Sequence, residues 1–146
     1  MKINKAMILA AGLGTRMQPL TLKIPKPLIK IGELNLLERS INLLIQHGIK
    51  EIVINVHHLA DQIERFIKNK DLKVKITISN ERNELLDTGG GIFKGTESFG
   101  DDPFIVINPD TVWSSTYKNE LNLLEELYSK TKKICLLVVE KSLSFD

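Results

Sequence analysis

The apolar positions of this chain fall into short runs and helical stripes that alternate from one end to the other. Lys5 to Leu9 is a brief apolar run ended by glycines and predicts a first strand. Leu37, Ile41, Leu44 and Ile45 share one helical face between Asn35, a residue suited to capping, and Gly48, a usual stop. A helix from Leu36 to about His47 is therefore expected. Glu51 to Val56, rich in β-branched residues, reads as a second strand, and about Ala60 to Lys68 as a second helix that buries Ile63, Phe66 and Ile67. From Lys73 to Ser79, Val74, Ile76 and Ile78 alternate with polar residues, as in a strand with one wetter face. After a loop from Asn80 to Asp87, the string Thr88-Gly89-Gly90-Gly91 opens a short helix through Phe93 and Lys94. Pro103 to Asn108 carries the fourth strand, Phe104-Ile105-Val106-Ile107, and ends in the corner Asn108-Pro109-Asp110. A helix from about Lys118 to Ser129 sets Leu121, Leu124, Leu127 and Tyr128 on one face, and Ile134 to Glu140 reads as a fifth strand. Strands alternating with helices predict a three-layer α/β domain with a mostly parallel sheet and right-handed crossovers.

Composition narrows the class without naming a function. The 146 residues, 42% apolar and 26% charged, suit one soluble globular domain with one real core. No repeat, low-complexity tract or linker divides them. A formal charge of +2 is too small to argue for nucleic acid or a membrane surface as partner. No signal peptide, lipidation motif or apolar run of membrane length stands out, which leaves the cytoplasm as the expected compartment. The one cysteine, Cys135, lies in the run Ile134-Cys135-Leu136-Leu137-Val138-Val139, where a buried structural thiol is expected rather than a nucleophile. Oligomeric state is open at this level.

Chemistry concentrates in residues 8–28. The first strand runs into Ala10-Ala11-Gly12-Leu13-Gly14-Thr15-Arg16, and ten positions after the arginine comes Lys26 between Pro25 and Pro27. Gly12 and Gly14 let the backbone approach a ligand and reach dihedrals closed to other residues, so that N–H groups can converge on phosphate oxygens. Arg16 offers a planar fork of donors and Lys26 a compact charge. The two prolines bias Ile24 and Lys26 toward extended geometry, which presents the lysine. A dinucleotide fingerprint would need a third glycine where Met17 stands, and a P-loop would need Gly-Lys-Ser/Thr, which never occurs. A nicotinamide-dependent oxidoreductase is disfavoured for the further reason that the second strand ends in Val56-His57, without an acidic residue.

Between Leu9 and Pro27 every fixed position of the pattern L-A-A-G-x-G-[ST]-R-[ML]-x-P-L-T, a short spacer and P-K-P is filled. That string resembles the signature of the sugar-phosphate nucleotidyltransferases, also called nucleoside-diphosphate-sugar pyrophosphorylases. The resemblance implies a Rossmann-like nucleotidyltransferase fold whose sheet begins 3-2-1-4. In such an open sheet the crevice lies where strand order reverses, at the carboxyl ends of the first and fourth strands. The implied reaction is attack by a sugar-1-phosphate oxygen on the α-phosphorus of a nucleoside triphosphate, with pyrophosphate leaving. The implied nucleotide site comprises Ala11, Gly12, Gly14, Thr15, Arg16, Lys26, Thr88 and Gly89. Arg16 and Lys26 are the expected catalytic residues, Asn108 a substrate contact and Asp110 the ligand of Mg2+. The string from Asp87 to Lys94, with Asn108 and Trp113, looks most like the N-acetylmuramate-1-phosphate uridylyltransferases, which points to UTP.

Two departures bear on these expectations. Pro109 stands where the family usually has glycine, alanine or serine; it removes an N–H and fixes φ, which bears on where the metal sits. The chain also stops at Asp146, before the family's sugar-binding segments and second metal aspartate, so residues 1–146 are expected to be the N-terminal, nucleotide-binding part of a single nucleotidyltransferase domain. Nucleotide binding without turnover is the competing expectation. His57 and His58, adjacent on an extended segment, point to opposite faces and are not expected to share a metal ion.

Overall fold

The structure is a computed structural model in which residues 2–138 are described. A four-stranded parallel sheet runs in the order β5-β4-β1-β6, formed by β1 (Lys5–Leu9), β4 (Glu51–Val56), β5 (Lys75–Asn80) and β6 (Phe104–Ile107). Counting only these long strands, this is the expected order 3-2-1-4. The remaining pair, β2 (Lys30–Ile31) and β3 (Leu34–Asn35), is a small antiparallel ribbon too short to show in the apolar pattern.

Alternation along β1 explains the layers, because successive side chains leave opposite faces of a strand. Ala6 and Ile8 point into the larger core with Ile52, Ile54 and Val56 of β4. Against that face lie α1 (Leu36–His47), α2 (Ala60–Lys68) and α4 (Lys118–Thr131), through Leu37, Ile41, Ile63 and Leu121. Met7 and Val53 point the other way, toward Phe99, Ile92 and α3 (Thr88–Gly95). α3 comes so close to β1 that a Cβ on Gly95 would stand 2.8 Å from Met7 Cε. Local signals set the bounds of α1: Asn35 accepts a hydrogen bond from the N–H of Glu38 at 2.8 Å, and Gly48 closes the helix at φ 106°.

Three expectations change. Residues 134–138 form no strand, and Val139 and Glu140 lie outside the described residues. Ile134, Leu136 and Val138 are exposed, and Cys135 is half-buried rather than sealed in a core. An apolar run becomes a strand only when it finds a partner for its backbone groups, and among the described residues β6 pairs with β1 alone. The stripe on α4 is narrower than expected: Leu121 is buried, whereas Leu127 is 48% exposed.

Candidate functional site

The carboxyl ends of β1 and β6 meet at the reversal of strand order, and a cleft of about 320 Å³ opens there. One wall is Ala11, Gly12 and Gly14 with Lys26; the facing wall is the loop from Leu85 to Thr88; Asn108, Pro109 and Asp110 close the end. A larger hollow of about 660 Å³ follows the outer edge of β6 toward α4 and does not include the glycine loop.

The two glycines act differently. Gly14 adopts φ 65°, and a Cβ there would strike Thr21 Cγ2 at 2.8 Å. Its place is locked from outside, since Thr21 Oγ1 donates to the Gly14 carbonyl at 2.8 Å and a His58 ring nitrogen lies 2.6 Å from the Thr21 carbonyl. A carbonyl only accepts, so that Nε2 carries the proton. Gly12 does not use the left-handed region expected of it. No heavy atom lies within 4 Å of where its Cβ would stand, so its small size leaves open space beside the cleft.

Lys26 is the first residue of a single 3-10 turn, Lys26–Leu28, rather than extended; the turn is closed by Leu28 N–H donating to the Pro25 carbonyl at 2.8 Å. Pro27 tolerates this because the first turn of a helix leaves its N–H unpaired in any case. From there Lys26 Nζ donates to Asp110 Oδ2 at 2.9 Å, joining segments 84 positions apart. Both side chains keep water contact, at 26% and 43% exposure. Trp113 steadies the same corner by donating its indole N–H to the Asn108 carbonyl at 2.7 Å.

The other expected residues lie at the rim. Thr88 lines the cleft, and Gly89 follows it with open space around it. Thr15 and Arg16 sit in the exposed turn Thr15–Met17 and do not form part of the wall. His57 Nδ1 donates to the Glu81 carbonyl at 2.7 Å, so the two histidines hold different backbone segments. For a magnesium ion the cleft offers hard oxygen donors: the Asp110 carboxylate, beside space for phosphate oxygens and water, which is a sufficient protein share for this ion. No helix among the described residues is long and apolar enough to cross a membrane.

Two polar groups at the floor of the cleft, which Asn55 itself lines, are not marked by the glycine-loop motif. Asn55 is 4% exposed within the apolar strand Ile52-Val53-Ile54-Asn55-Val56, and Glu81 is 1% exposed at the end of β5. Asn55 Oδ1 accepts from the Ala10 N–H at 2.8 Å, Asn55 Nδ2 donates to Glu81 Oε1 at 2.8 Å, and Glu81 Oε2 accepts from the Leu86 N–H at 3.1 Å. A lone amide in a central apolar strand was the available signal for the first of them; nothing local marked the second.

Fold and cleft together define an α/β domain whose glycine loop and carboxylate corner meet at the switch point of a parallel sheet. The nucleotidyl transferase family profile matches residues 5–144, and the chain belongs to that family. It is 40% identical to the N-acetylmuramate alpha-1-phosphate uridylyltransferase of Caulobacter vibrioides over 74% of its own length and 46% of that protein. It is 30% identical to the mannose-1-phosphate guanylyltransferase catalytic subunit beta of Xenopus tropicalis over 94% of its own length and 39% of that protein. Among solved structures, a UDP-glucose pyrophosphorylase complexed with UDP-glucose superposes with a TM-score of 0.72 at 22% identity. That match covers 89% of this chain and 55% of the other, and at such identity it speaks to the fold alone. The chain thus spans less than half the length of these two curated relatives.

Proposed function

We propose that this chain is the nucleotide-binding part of a sugar-1-phosphate nucleotidyltransferase that uses UTP. The observation that carries the reading is the convergence of the glycine loop, Lys26 and Asp110 on one cleft, with Lys26 and Asp110 in contact at 2.9 Å. The reaction forms a bond between a sugar-phosphate oxygen and the α-phosphorus and breaks the bond to the β-phosphate bridging oxygen, releasing pyrophosphate. A phosphate monoester has a second pKa near 6, so the nucleophile is ionised at neutral pH and needs no general base. Catalysis then consists of aligning two anions and stabilising the charge on the leaving group.

In that scheme the N–H groups around Gly12 and Gly14 receive the β- and γ-phosphates, and Arg16 reaches them from the rim. Lys26 lies beside the α-phosphate and the incoming phosphate. Thr88 and Gly89 face the base, and Asn108 contacts the substrate. Asp110 holds magnesium, which when bound supplies positive charge to the leaving pyrophosphate. UTP is favoured over GTP by the relative of higher identity, a uridylyltransferase, against the guanylyltransferase.

A second reading keeps nucleotide binding and drops turnover. It is favoured by one observation: Lys26 and Asp110 neutralise each other at 2.9 Å, which ties both charged groups to one another rather than to phosphate or metal. Calorimetric titration with each of the four triphosphates, followed by pyrophosphate release in the presence of a panel of sugar-1-phosphates, tests both. UTP binding with release supports the first reading, binding without release supports the second, and no binding of any triphosphate defeats both.

A further inference from the structure

Resting on the nucleotide reading above, we propose that Asn55 and Glu81 are positioning residues that fix the spacing of the two cleft walls, and with it the affinity for the triphosphate. Two backbone donors end on this pair. Ala10 N–H, at the root of the glycine loop, and Leu86 N–H, in the facing loop, both donate inward to this pair. Between them stand two side chains bonded to one another. An amide has one face that accepts and one that donates, whereas a carboxylate only accepts. A line with a donor entering at each end is satisfied only if one of its two members is acceptor-only. In this chain that member is Glu81, and Asn55 passes the donor direction along from Ala10.

The site around the pair is tight enough to transmit the spacing. Both side chains are almost fully buried. Gly91 of α3 lies over their junction, and a Cβ there would stand 2.9 Å from both Asn55 Nδ2 and Glu81 Oε1. Those atoms are held by hydrogen bonds and have little freedom to retreat. This accounts for the third glycine of Gly89-Gly90-Gly91 by what it touches beneath the helix, while Gly89 is bare on the open side. The pair therefore links three parts of the proposed site: the glycine loop, the loop before Thr88, and the start of α3.

The donor count gives a test that separates positioning from charge. In Glu81→Gln two amides stand between two inward donors, so one donor must face another. Removing a negative charge near a triphosphate would by itself tighten binding; loss of the brace weakens it. In Asn55→Asp two carboxylate oxygens face each other where Nδ2 met Oε1. In the double variant Asn55→Asp/Glu81→Gln every bond is restored, because Asp at 55 accepts from Ala10 N–H and from the amide at 81, whose oxygen accepts from Leu86 N–H.

The test measures amide hydrogen exchange at Ala10 and Leu86 and titrates magnesium-free UTP by calorimetry, on the parent and these three variants. The expected result is that each single substitution lowers protection of both amides and weakens UTP binding about ten- to a hundredfold, the scale of one hydrogen bond to a charged group. The double variant regains both protections and binds within about threefold of the parent, the remainder reflecting a charge moved from position 81 to position 55, which lines the cleft. Gly91→Ala is expected to behave like the single substitutions. Tighter UTP binding by Glu81→Gln, or unchanged protection at Ala10 and Leu86 in both single variants, overturns the proposal. If the parent binds no triphosphate, the nucleotide reading falls; the affinity part of this proposal falls with it, and the exchange data still decide whether the pair braces the walls.

Discussion

Replacing Asp110 by asparagine removes a charge and keeps the shape, and the structure says what each consequence should be. The carboxylate meets Lys26 Nζ at 2.9 Å with the pair partly in water. An exposed pair of this kind contributes about 0–1 kcal/mol to folding. Loss of that much lowers the melting temperature of a domain this size by no more than about 2–4 °C. The effect on binding has the opposite sign when no metal is present. Without the carboxylate, Lys26 is no longer neutralised and phosphates no longer face a like charge. At about 4 Å in a water-filled cleft one such interaction is worth about 1 kcal/mol, or roughly fivefold in affinity. Metal-free UTP should therefore bind Asp110→Asn tighter, with the gain shrinking as salt is raised. Magnesium should strengthen binding to the parent and add less to the variant, since the asparagine oxygen at this corner is an uncharged and weaker ligand. Calorimetry with and without magnesium reads both quantities on the same two proteins. A variant that responds to magnesium as the parent does, or that binds metal-free UTP more weakly, would remove Asp110 from the metal site and leave it a turn residue.

Lys26→Ala should leave the circular dichroism spectrum intact and, in protein that turns over, reduce kcat/KM by about 3 kcal/mol of transition-state stabilisation; an unchanged value takes Lys26 out of the mechanism. UTP should raise the unfolding temperature more than ATP does at equal concentration, protection amounting to about 2.7 kcal/mol at a hundredfold excess over Kd; equal protection by all four triphosphates would defeat the choice of base and spare the phosphate loop. His47 gives a pH dependence. Burial holds its pKa below the ordinary value of 6.5, with Lys2 and Lys118 acting the same way and Glu125 opposing them. The ring is thus neutral in the folded protein at pH values where its unfolded counterpart takes up a proton, so its stabilising contribution is complete above about pH 6.5. That contribution is lost as pH falls through the lowered folded value, and the urea midpoint should decline below pH 6.5, less steeply in His47→Gln; parallel slopes for the two proteins would assign the acid sensitivity elsewhere.

What the sequence made legible was what it encodes locally. Asn35 and Gly48 carry the start and stop of α1 in their own chemistry, and β1, β4 and α2 have the bounds expected from their patterns. The glycine loop and the Asn108-Pro109-Asp110 corner could be brought together from sequence, because the switch point of a parallel sheet follows from strand order. The hairpin of β2 and β3 escaped because two-residue strands have no period to read. Residues 134–138 show the converse: a strongly apolar run specifies a wish for burial and does not name the partner.

Glu81 marks the deeper limit. By residue type it belongs on the surface of the loop it opens, yet it is 1% exposed. A carboxylate can be buried when its oxygens are supplied with donors, and here one donor comes from β4 and the other from the Leu86 backbone. Asn55 would in turn be an unpaired amide in an apolar strand without Ala10 and Glu81. Neither residue is explicable alone, and each becomes so only when β1, β4 and the loop after β5 are side by side. Motif residues that meet a ligand can be recognised one at a time by their chemistry; residues that hold the walls apart are defined by pairs, and a pair is a property of the fold.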